Sequence, residues 1–109
     1  MSTPLQHQII ARALEIISDE EHWTTVVVAS EADGTPCSCQ DPLATRFCAI
    51  GALFRAASEL LADGGVEQGF KAAKFVLAAN NRPYDPLPQI NDHEGHAVIV
   101  AMFKHTLAS

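Results

Sequence analysis

The chain has 109 residues, 48% hydrophobic and 18% charged, a balance that suits a folded globular domain and excludes a disordered or fibrous one. At this length roughly 65% of the unfolded surface can be buried, so a single domain over residues 1–109 can build a core without disulfides or metal. Thirteen acids against seven bases give a formal charge of −6, which leaves no basic footprint for nucleic acid and makes it an unexpected partner.

Three cysteines, an odd number, do not form a secreted disulfide framework. The N-terminal Met1-Ser2-Thr3-Pro4 lacks a basic and then apolar leader, and the longest apolar run, 97–103, is far short of the roughly 20 residues that span a bilayer. The reducing cytoplasm is the expected location, with no membrane association.

In chain order, Thr3 is the expected cap of a first helix, with Pro4 at its first position and Gln6 closing a capping box. Leu5, Ile9, Ala13 and Ile16, widened by Ile10, Leu14 and Ile17, form one apolar stripe. Ser18 and Asp19-Glu20-Glu21 end it, because acids oppose the dipole at a helix C-terminus. After Trp23, the β-branched run Thr24-Thr25-Val26-Val27-Val28 predicts a strand, Asp33-Gly34 a turn, and 35–40 a returning strand. A lone hairpin is marginal and must pack on helices.

Asp41-Pro42 opens a turn, or a first helical turn with Asp41 as cap, and a second helix is expected over 45–62, with Thr45 as cap and Phe47, Ile50, Phe54, Ala57 and Leu61 at helical spacing. Asp63-Gly64-Gly65 stops it. A third helix, 66–79, sets Phe70, Ala73 and Leu77 against Glu67, Lys71 and Lys74. Pro83, Pro86 and Pro88 mark 81–90 as a loop. A fourth helix is expected to start at Asn91 or Asp92, and its apolar middle, 97–103, implies burial on every side or an oligomer interface. The expected fold is mainly α: about four helices packed as a small orthogonal bundle, with a β-hairpin between the first two.

Trp23 after the first helix, the segment Phe47-Cys48-Ala49-Ile50-Gly51-Ala52-Leu53, and Asn91-Asp92 opening a last helix resemble a family of small uncharacterised bacterial and phage proteins. That family carries an aromatic-Cys-x-x-Gly-Ala-Leu segment and a later Asn-Asp pair. The resemblance runs from the first helix to about Leu107 and implies a fold without an activity. Cys37, Cys39 and the His93/His96 pair stand outside the shared pattern.

Three constellations bear on chemistry. Near a helix start, Cys48 meets free N–H groups that lower a thiol pKa, and His93 or His96, oriented by Asp92, would be its base in a thiol-dependent hydrolase or transferase. Against this, cysteine is commonly buried, and Cys48 lies within an apolar stretch. Cys37 and Cys39 with His93 and His96 are candidate zinc ligands, with the two histidines three apart on one helix side, yet the Cys-x-Cys spacing is weakly diagnostic and the donors are scattered. Trp23 and Tyr84, the latter in a proline-rich turn, are candidate interface anchors, with Trp23 more simply read as a core plug.

Gly51 and Ala52 suggest close helix packing, with Ala97 and Ala101 opposite. Gly64-Gly65 imitates a phosphate loop without the following Gly-Lys-Ser/Thr, and a helix-turn-helix over the second and third helices lacks bases. With no complete catalytic set, the leading expectation is a non-enzymatic protein-interaction or accessory module, phage-related in setting, acting through a protein partner or as a homodimer. A thiol enzyme centred on Cys48 and a zinc-stabilised interaction module remain the alternatives. No cofactor is expected unless zinc binds.

Overall fold

The computed structural model describes residues 4–63 and 65–108; Thr3 and Gly64, expected as a helix cap and part of a helix stop, lie outside them. The first helix, α1, spans Pro4–Ile17. Its stripe is the core face as expected: Ile9, Ile10, Ala13 and Ile17 are fully buried, while Leu5, Leu14 and Ile16 pack beside them. The acidic run ends the helix in a turn. Asp19 accepts a hydrogen bond from the Glu21 N–H and caps a short 3-10 turn, Glu20–His22.

The expected hairpin is present but abbreviated. Strand β1 is Ala29–Ser30, β2 is Pro36–Cys37, and they pair antiparallel around a turn in which Asp33 accepts from the Thr35 N–H and Gly34 has φ 93°. A third strand, β3, Arg46–Phe47, pairs antiparallel with the other edge of β1, so the sheet order is β2-β1-β3. The valine run before β1 is not a strand. Thr24 donates to the Phe47 carbonyl and Cys48 donates to that of Val28, and between these anchors residues 24–28 bow outward as an arch.

Helix α2 spans Ala49–Leu60, not 45–62. Thr45 is no cap, because its N–H pairs with Ser30 and the chain stays extended through Phe47. Cys48 is itself the N-cap, not a residue inside the first turn. The α2 helix ends when the Leu61 N–H closes onto Ala57, and α3 follows at Gly65–Ala79. There Ala73 and Leu77 face the core and Glu67, Lys71 and Lys74 face solvent, as the pattern predicts. Phe70, expected on the core side, is half exposed and meets Phe54 edge-on.

The largest correction concerns the last helix. Two helices replace it, making five α-helices among the described residues: α4, Leu87–Glu94, starting inside the expected proline loop, and α5, His96–Ala108. Pro86 and Pro88 sit at the start of α4, where a missing N–H costs nothing, and Gly95, at φ 94°, breaks the chain between the two. One face of α5 is buried, through Ile99, Met102, Phe103 and Thr106, while Ala97 and Ala101 lie exposed. Those two alanines therefore do not receive Gly51 and Ala52. The core joins Phe103, Leu53, Val76 and the isoleucines of α1, which brings the start of α2 beneath the arch and against α4.

Candidate functional site

The site is built on Asn91, the one buried amide of α4. An amide out of water must satisfy both its ends, and Asn91, with no solvent exposure, does so completely. Its Oδ1 accepts from Trp23 Nε1 at 2.7 Å and from the Ala49 N–H at 2.9 Å; its Nδ2 donates to the Thr24 carbonyl at 3.0 Å and to Asp92 Oδ1 at 3.1 Å. One side chain thus joins the segment after α1, the N-terminus of α2 and α4. The helix-start N–H groups of α2 are met twice, by Asn91 at Ala49 and by Cys48 Sγ, which accepts from the Gly51 N–H at 3.3 Å.

Asp92, next in the chain, points outward and does different work. Its Oδ1 accepts from the Val26 N–H at 2.9 Å. Val26 has φ 76°, a conformation that a β-branched residue strongly disfavours, and its side chain is 85% exposed. Beneath the arch, Gly51 is required by proximity: a Cβ there would lie 2.0 Å from the Val28 carbonyl oxygen. This is the use of the small residue at 51, a close approach of helix to arch and not of helix to helix. Between the arch, Ile50 and Pro88 lies a notch of about 70 Å³ lined also by Cys48 and Asp92.

Of the residues proposed for catalysis, Cys48 and Asp92 therefore line one notch. Burial pushes the Cys48 thiol up; the Gly51 and Ile50 N–H groups oppose that shift, whereas Asp92 and Cys39 add to it. The expected lowering by the helix start is thus outweighed. Neither histidine lines that notch. His96 Nε2 lies 2.6 Å from the Ile17 carbonyl, which can only accept, so Nε2 carries the proton; its ring leans on Trp23 at 5.5 Å between centroids. His93 lines a separate depression with Arg82, Asp85 and Glu94.

The zinc candidates divide in the same way. Cys37 and Cys39 belong to the hairpin and its exit, with burial raising both thiols, while His93 and His96 flank the α4–α5 break. Among the described residues no three His, Cys, Asp or Glu side chains converge to hold a metal ion. Trp23 is half-buried and fixed through Asn91 and a bridge to Phe47, in keeping with a core plug, whereas Tyr84 is 96% exposed. Sequence reasoning singled out the Asn91-Asp92 pair as a helix start but missed both of its roles, and nothing in the valine run marks Val26 as the crest.

The fold and this site define a small, mainly helical protein with a three-stranded antiparallel sheet, in which a tryptophan, a cysteine-capped helix and an Asn-Asp pair are joined. The whole chain, residues 1–109, belongs to a family of unknown function, DUF6197. No curated protein and no solved structure matches it. No helix among the described residues is long and apolar enough to cross a membrane.

Proposed function

We propose that this protein is a non-enzymatic interaction module that recognises a protein partner through the arch at residues 24–28. The observation that carries the reading is Val26, an apolar β-branched residue held at positive φ, almost fully exposed, by the Asp92 carboxylate. Strain of this kind costs of order 1–3 kcal/mol and persists where the surroundings impose it, often at ligand contacts. Core packing gains nothing from an exposed valine. Val28, also exposed, and Pro88 extend the apolar rim around the notch, which has room for one small side chain.

A photo-crosslinking residue at position 26, in cells that naturally make the protein, tests this reading. One discrete adduct from position 26 that is absent with the same probe at exposed Gln89 is the expected result; no adduct, or the same products from both positions, would end it. An adduct at twice the chain mass identifies a second copy as the partner.

Self-association is favoured separately by the outer face of α5, where Ala97, Val100 and Ala101 point away from the core. Val100→Asp then shifts a dimer to monomer in sedimentation without lowering the melting temperature. A wild-type protein that sediments as a monomer up to millimolar concentration would remove the homodimer.

A further inference from the structure

Apart from the arch, α1, the 3-10 turn, β3 and α2 border an open cleft of about 260 Å³ lined by residues that include Arg12, His22, Thr45, Phe47, Arg55 and Glu59. In a chain of net charge −6, it gathers two of the four arginines around one acid. Arg12 Nε donates to Glu59 Oε1 at 2.6 Å and its Nη2 to Oε2 at 3.4 Å, while Arg55 Nε reaches Oε2 at 3.4 Å. Both guanidinium groups thus converge on a single carboxylate, showing that an oxyanion fits between them.

Arg55 is held firmly in place. Its Nη1 donates to the Cys39 and Asp41 carbonyls, each at 3.0 Å, and its guanidinium stands 5.6 Å above the centre of the Phe47 ring. Its Nη2 makes no hydrogen bond among the described residues. Arg12, on the opposite wall, is pinned among the described residues by glutamates alone: Glu59 and, more distantly, Glu15. A fixed guanidinium facing a second one, with Thr45 and His22 also lining the cleft, is a fork that matches oxyanion geometry.

We propose that this cleft binds the phosphate group of a small molecule, with Glu59 as an internal occupant that the ligand displaces. Charge selects the class of ligand. Once Glu59 swings out, two guanidinium charges face the guest, which matches a phosphate dianion better than a carboxylate monoanion. The cleft has room for the phosphate and a few further atoms.

The test is titration of the full-length protein with inorganic phosphate, followed through backbone amides and arginine Nε–H signals by NMR, at ionic strength held constant with chloride. Saturable shifts confined to Arg12, Arg55 and the amides around Thr45 are expected, with acetate at least tenfold weaker. Glu59→Gln removes the internal competitor and tightens phosphate binding at least fivefold, while Arg12→Gln in that background abolishes it; each variant's retained fold is checked in its own spectrum. Unsaturable shifts spread over all cationic residues, equal binding of acetate, or unchanged or weaker binding by a folded Glu59→Gln variant would overturn the proposal.

Discussion

Asn91 and Asp92 are neighbours on α4, yet they hold the chain in opposite ways. Asn91 is buried, with donors and acceptors satisfied in a network joining three segments. Asp92, exposed, fixes the N–H of a residue whose backbone is strained and whose side chain meets water. The first arrangement stabilises the fold; the second spends stability on the shape of a surface. Changes in the Asn91 network and at the crest of the arch should therefore separate in size and in sign.

The largest effect is expected at Asn91. Asn91→Ala leaves the buried Ala49 N–H and the part-buried Trp23 indole N–H and Thr24 carbonyl without their partner, and a fully buried group of this kind costs about 1–3 kcal/mol. Allowing for relaxation and water entry, urea denaturation should show a loss of about 3–5 kcal/mol, which in a domain of this size approaches the total. Gly51→Ala comes next. Its new methyl meets backbone, not a flexible side chain, so the arch must move, and a loss of about 2–3 kcal/mol is expected in the same measurement. A loss under 1 kcal/mol would show that the arch yields easily and is not held against α2.

Smaller effects come from the exposed groups. Glu59 has its carboxyl held below the ordinary carboxylate range, chiefly by the Arg12 hydrogen bond. Its depressed folded pKa means that the unfolded chain takes up its proton first. The contribution is present above about pH 4–5, the ordinary glutamate range, and is lost as pH falls through the lower folded value. Since this pair is partly exposed, Glu59→Gln should cost under about 1 kcal/mol at pH 7 and nothing once the acid is protonated. A variant whose deficit persists unchanged into acid would place the effect in packing instead. Thiol reactivity gives the finest distinction: Cys37, half-buried, should be alkylated in the native protein well before buried Cys48, and denaturation should remove the difference.

What was legible in the sequence divides along the same line. The apolar stripe of α1 and the polar face of α3 follow from helical spacing, because each helix has one wall against the core and one against water. The start of α2 was hidden because Thr45 looks like a better cap than Cys48, and only the strand pairing of Arg46–Phe47 with β1 decides between them. Gly95 was a readable break, but the strong capping signal of Asn91-Asp92 pointed to a helix start where α4 is already under way. Asn91 meets Trp23 across 68 residues of sequence, and no local pattern records such a contact. The valine run is a strand by propensity, and tertiary anchors at Thr24, Asp92 and Cys48 override it.

The central claim is that the arch is strained in order to present Val26, and the unfolding free energy of Val26→Gly tests it most directly. Glycine accepts positive φ freely, but it also adds freedom to the unfolded chain, so the two effects partly offset. The account predicts that Val26→Gly is as stable as the wild type or more stable by about 1 kcal/mol, while position 26 loses its contact with the partner. A loss of more than about 1 kcal/mol would contradict it, making Val26 a residue kept for stability.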